Sequence, residues 1–415
     1  MARHSFAALG PAFAAGALMV IAVAALPACT AQPEKPQAPA ISTSPLPNPL
    51  GAPPSREIQP PPPGNPAPQS PQEMTTEGHT RVALLVPLTG ANKAVGQAML
   101  DAGNLALFDV SSDLALLPRD SGSSPEGSKA AADKALADGA GLILGPVFSA
   151  SVAPVRASAE PVEVNVITYS TDASVAGGNV FVIGFLPTQQ VDRIVGYAKS
   201  RGLSKLAALV PDNPYGTTVA TEIGVMRDRL AMPPPRILTL GRDPKALLAE
   251  LATDPPEMLL IALGGDQLKA LAPTIAEFTA QHPLQLLGTG LWDDATLGQQ
   301  APQLIGAWYP APAPVGFTNF DQKFRQTYSY APPRIASLAY DAVALAAAIA
   351  KGSPGNPRPF GKDVLTQPSG FLGIDGPFRF LPSGLSERNL AVLAVGGGGP
   401  TVLDPPPPTF EKLGE

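Results

Sequence analysis

Cys29 is the only cysteine among 415 residues, so neither a disulfide framework nor a multi-thiolate metal site can be built from this chain. A lone thiol can instead be acylated. The three histidines, His4, His79 and His282, have no partner at metal-ligand spacing. No HExxH helix and no GxSxG nucleophile elbow occurs. Gly288-Thr289-Gly290 lacks the third glycine of a dinucleotide fingerprint, and loop packing accounts for it. Asp293 and Asp294 are adjacent, whereas paired glycosidase carboxylates must face each other across a cleft. These residue types point away from catalysis, a metal or a cofactor, and toward binding. Charged residues make up only 15% of the chain, the net charge is −6 and no Lys/Arg run occurs, which argues against nucleic acid as a partner.

The surroundings of Cys29 give it a role. Arg3 and His4 are followed by an almost wholly apolar stretch from Ala7 to Leu26, then by Leu26-Pro27-Ala28-Cys29. A basic start, an apolar core and small residues before a cut describe a secretory signal over 1–28. Gly10, Pro11 and Gly16 interrupt the run and no basic stop-transfer cluster follows, so a retained membrane span is the weaker reading. The L-P-A-C sequence resembles the lipobox of bacterial lipoproteins. That resemblance implies acylation of Cys29 and a membrane-anchored protein facing the periplasm, and Thr30 resembles an outer-membrane address.

Between Gln32 and Gln72 there are fifteen prolines, four of them consecutive at 60–63. Such a segment cannot bury a core and favours extended polyproline backbone. Residues 29–80 therefore read as a tether. The forty or so residues of its proline-rich stretch would span of order 100 Å at about 3.1 Å each. It either clears the membrane surface or reaches toward the cell wall.

From Arg81 the pattern changes. Short continuous apolar runs recur at Val82–Val86, Leu114–Leu117, Leu142–Leu144, Val164–Thr168, Leu206–Val210, Met258–Leu263 and Leu284–Leu287. Continuous rather than alternating runs indicate parallel strands covered on both faces. Helical spacing lies between them, as in Val95, Ala98, Met99, Ala102, Leu105 and Ala106, in Val191, Ile194, Val195 and Ala198, and in Leu338, Ala342, Leu345, Ala346 and Ile349. This is α/β alternation. Over 81–410 it is too long for one core, so two doubly wound Rossmann-like lobes with a cleft between them are expected. The first should comprise about 81–186 and 311–360, the second about 187–310 and 361–410.

Several segments resemble the type I periplasmic binding proteins, the leucine/isoleucine/valine-binding family. They are VALLVPLTGANKAVGQAMLDAGNLALFDV at 82–110, GLILGPVFSASVAPV at 141–155, Asn213-Pro214-Tyr215-Gly216 and GFLGIDGPFRF at 370–380. Within that family, LLPRDSG, ILGPVFS and STDASVAGG most resemble a lipoprotein branch called penicillin-binding-protein activators. The resemblance implies ligand contacts from Thr89, Ser149, Ser170, Thr171 and Tyr215, with Trp292 and Asp293 near the ligand ammonium. In GTGLWDD the acid comes a few residues late for that last role. Ser149 also reads as a helix N-cap, and Asp293 as a cap. Two functions follow: a non-catalytic solute-binding protein for an amino-acid-like ligand of an ABC transporter, or an activator touching a peptidoglycan synthase.

Overall fold

The computed structural model describes residues 80–110 and 114–410. The expected signal, the expected acylation site Cys29 and the expected tether lie outside the described residues, apart from Thr80, which opens the first strand.

The first lobe is built on β1 (Thr80–Val86), β2 (Leu114–Asp120), β3 (Leu142–Leu144), β4 (Asn165–Thr168) and β5 (Val180–Val182), paired in the order β2-β1-β3-β4-β5, all parallel. The apolar run of β1 serves two faces. Val82, Leu84 and Val86 join one core with the helices Lys93–Val110 and Ala336–Gly352, while Ala83 and Leu85 join another with Pro125–Ala137 and Val152–Ala159. Side chains alternate across a strand, so a run without polar interruption is what burial on both faces requires. Each such Val or Leu contributes roughly 1.5–3 kcal/mol by leaving water.

The second lobe repeats the plan with β6 (Leu206–Pro211), β7 (Arg236–Leu240), β8 (Met258–Ile261), β9 (Gln285–Gly288) and β10 (Trp308–Ala311). The chain then forms a small antiparallel sheet of β11 (Phe371–Gly373), β12 (Gly376–Phe380) and β13 (Ser386–Arg388), and ends with β14 (Ala391–Ala394) and β15 (Thr401–Asp404). The large sheet runs β15-β14-β10-β9-β8-β6-β7, with β14 and β15 antiparallel at one edge. Ala207 and Leu209 of β6 point to one core, and Leu206, Ala208 and Val210 to the other.

The lobes divide differently from the sequence expectation in one place. Leu365, Phe378 and Phe380 belong to the first lobe's core, so the stretch 361–388 packs there and only β14 and β15 return to the second sheet. Aromatic burial decides this, since Phe378 and Phe380 also meet edge-on and Phe380 packs against Phe181 of β5. Consequently three short connections link the lobes: 183–186 after β5, 312–313 after β10 and 389–390 after β13.

Candidate functional site

Ligands of open α/β sheets sit beyond the carboxyl ends of the strands. Here those ends bring together Tyr169 and Thr171 after β4, Phe185 after β5, Tyr215 in the helix after β6, and Gly290, Leu291 and Asp293 after β9. Arg334, Ile335 and Leu338, at and before the start of the helix Ala336–Gly352, complete the wall with Pro187 and Gln190. They enclose a cavity of about 360 Å³ lined by residues of both lobes. A larger groove of about 470 Å³ lies elsewhere, lined mainly by the helices Pro187–Ser200 and Pro214–Arg229 and by 387–390.

Of the candidates from sequence, Thr171, Tyr215 and Asp293 line this cavity. The Tyr215 hydroxyl lies 2.8 Å from Thr289 Oγ1 and donates to it. Burial pushes that phenol up to about 12, with the Thr289 bond opposing the shift. Asn213 explains the position of Tyr215: its side chain accepts from the Gly216 amide, capping the helix at Pro214.

The other four residues lie away from the cavity wall. Thr89 is exposed and donates to Asp120 Oδ2 at 2.6 Å. Burial would raise Asp120, but bonds from Thr89 and the amides of Gly122 and Leu88 outweigh it and hold the carboxyl below its usual range. Ser149 is exposed and opens a one-turn 3-10 helix whose N-cap is Phe148, so it is not the cap that the sequence suggested. Ser170 is buried, and its hydroxyl accepts from the Asp172 amide within its own turn.

Trp292 is the clearest departure. It is 1% exposed, and its indole Nε1 donates to the Leu263 carbonyl at 2.9 Å inside the second lobe's core. Its ring lies flat against Gly288, where any Cβ would collide with it. The 3-10 turn Gly290–Trp292 rotates the indole inward and leaves Leu291 at the cleft.

Asp293 is engaged. Its Oδ2 accepts from Arg334 Nε at 2.7 Å, a bond from the turn after β9 to the residue two before the helix Ala336–Gly352. Arg334 Nη1 donates to Ser337 Oγ at 2.7 Å, and Nη2 lies 2.7 Å from Asp375 Oδ1. The guanidinium rests on the rings of Phe317 and Phe185, 4.4 and 5.0 Å from their centroids. Burial raises the Asp293 carboxyl against the pull of Arg334. Burial would lower Arg334, but Asp375 and Asp293 outweigh it and hold the guanidinium charged.

Deeper in, Asp341 accepts from the Ile374 amide at 2.7 Å and lies 3.7 Å from Arg388 Nη1. Burial, aided by the charge of Asp375, pushes Asp341 up to about 7, while Arg388 and the Ile374 amide oppose it. Gly373 has no side chain because a Cβ there would strike the Asp341 carboxyl.

No sequence motif marks Tyr169, Gln190, Arg334 or this buried cluster. One signal was legible: Asp341 falls at helical spacing from Leu338 and Leu345, so the helix places an acid on its apolar face. Tyr169 is 1% exposed, and its buried hydroxyl has no hydrogen-bond partner among the described residues.

Two doubly wound lobes, three connections and a cleft between strand ends define a class, and the chain belongs to it: the periplasmic binding protein family, whose profile matches residues 79–399. An uncharacterized protein of Rickettsia prowazekii (strain Madrid E) is 28% identical over 139 residues, 34% of this chain. The matched stretch spans 37% of that curated relative's length. Among solved structures the chain is similar to a Rhodospirillum rubrum protein provisionally assigned to a branched-chain amino acid ABC transporter. The TM-score is 0.70 at 17% identity, over 78% of this chain and 100% of that one. It is also similar to an ABC-transporter solute-binding protein from R. palustris in complex with benzoate. There the TM-score is 0.60 at 18% identity, over 80% and 98% of the two chains. At these identities the likeness carries the fold.

Proposed function

We propose that the chain is an exported solute-binding protein of ABC-transport type, which captures a small molecule between its lobes. The observation that carries this is the cavity of about 360 Å³ bounded by side chains of both lobes. Its size falls in the range of small-molecule sites, roughly 300–1,000 Å³. A ligand touching both walls stabilises the closed arrangement, which is how hinged lobes report occupancy. The signal and Cys29 would export and anchor the domain, with the proline-rich segment as spacer.

Contact with a peptidoglycan synthase is the alternative suggested by the sequence phrases near β2, β3 and β4. A cleft that retains room for a ligand favours capture over it. The structurally similar proteins widen the field of candidate ligands beyond amino acids, since one of them holds benzoate.

The test is a thermal-shift screen of the full chain against amino acids, aromatic acids and neutral aromatics, repeated with Leu291→Trp. Leu291 is a half-exposed residue of the cavity wall, so a larger ring there should fill the space without disturbing the core. Ligand at 100 times its dissociation constant adds about 2.7 kcal/mol to the folded state. A melting shift that survives Leu291→Trp would place binding outside the cleft and overturn the proposal.

A further inference from the structure

The cleft wall has an unusual charge balance. Among its twelve lining residues only Asp293 and Arg334 carry charge, and they are bonded to each other at 2.7 Å. The rest of the wall is apolar or neutral: Tyr169, Phe185, Leu291, Ile335 and Leu338 supply apolar surface. The hydrogen-bonding groups left to a ligand are uncharged. Thr171 makes no side-chain hydrogen bond among the described residues, and Gln190 uses its oxygen on the Gly290 amide while its amide nitrogen has only a long 3.4 Å bond to Phe185. The Tyr215 hydroxyl keeps its acceptor lone pairs after donating to Thr289.

We infer that this cleft selects an uncharged ligand, an apolar or aromatic molecule bearing one or two hydroxyl or amide groups, and discriminates against cations, anions and zwitterions. The inference rests on the ligand-capture reading above and deepens it. A ligand carboxylate could gain a cation only by drawing Arg334 from Asp293 and Asp375. A ligand ammonium could gain an anion only by drawing Asp293 from Arg334. Either exchange leaves one half of a partly buried, well-bonded pair without its partner, so the new contact is gained only at the expense of an existing one. The pair is also held from behind, because Arg334 is seated between Phe185 and Phe317 and bonded to Ser337. A neutral molecule meets none of these costs and buries its apolar body against the aromatic and aliphatic wall.

Four probes of similar size and different charge test this by calorimetric titration of the full chain: 4-methylphenol (neutral), benzoate (anion), benzylamine (cation) and L-leucine (zwitterion). The neutral probe is expected to bind at least about tenfold more tightly than any of the others. A charged probe that binds as well as 4-methylphenol overturns the inference and leaves ligand capture standing. If no probe binds, the inference is overturned, and ligand capture falls with it only if the wider thermal-shift screen is negative as well. Two variants read the charge logic separately. Asp293→Asn removes the cleft-side partner of Arg334, which keeps Asp375, and should improve benzoate by about tenfold, while Arg334→Gln frees Asp293 and should improve benzylamine similarly. Charge preferences that do not move in whichever variant folds overturn the inference. Should neither fold, the wild-type ranking of the four probes decides it.

Discussion

Arg334 Nε lies 2.7 Å from Asp293 Oδ2, and the bond joins the entrance of a first-lobe helix to the turn that follows β9 in the second lobe. The same guanidinium reaches Asp375 and Ser337. One side chain therefore ties both lobes to the hairpin between β11 and β12.

Removing that side chain should be costly. Arg334→Met leaves Asp293 and Asp375 without their cation, and truncating one partner of a buried pair costs roughly 3–5 kcal/mol. Because the pair is only partly buried, the lower end of that range is expected. Urea unfolding of Arg334→Met, Asp293→Asn and the double variant closes a double-mutant cycle. A coupling energy near zero would show that the bond does not hold the lobes together.

Asp341 makes stability depend on pH in an uncommon direction. Its folded carboxyl titrates near 7 rather than at the usual 3.8, so between those values the folded state holds a proton that the unfolded chain has released. Its contribution is fully present below about pH 4 and is lost as pH rises through 7. Unfolding free energy should therefore fall from pH 5 to 8 in the wild type and fall less in Asp341→Asn. Glu222, also raised to about 7 by burial and by Asp192, contributes to both curves, so the difference between them isolates Asp341. Parallel curves would remove Asp341 as the source.

The Tyr169 hydroxyl is buried without a partner among the described residues, and such a group costs about 1–3 kcal/mol. Tyr169→Phe should raise the stability of the ligand-free protein by about 1 kcal/mol, seen as a higher melting temperature. A lower melting temperature would mean that the hydroxyl has a partner in the protein.

Trp292 offers a clean separation of packing from binding. Trp292→Phe should cost about 1–3 kcal/mol through the space left over Gly288 and the loss of the bond to Leu263. Affinity for a cleft ligand should stay within about threefold, since the indole faces the core. A larger loss of affinity with intact folding would return Trp292 to the binding surface.

The parallel α/β plan of this protein is written in its sequence. A strand buried on both faces must be apolar at every position, and a helix covering it must be apolar every third or fourth, so Val82–Val86 and the helix Lys93–Val110 announce themselves locally. Strands with mixed faces do not: β7 carries Arg236 and Thr239, and the small sheet at 371–388 shows in the sequence only through the resemblance of 370–380. Which side chains meet in the cleft was decided by tertiary structure. Trp292 and Asp293 are neighbours, yet a single 3-10 turn sends one into the core and the other to Arg334, 41 residues away. No local pattern specifies that partner, because the bond exists only once two separately packed lobes have brought their strand ends together.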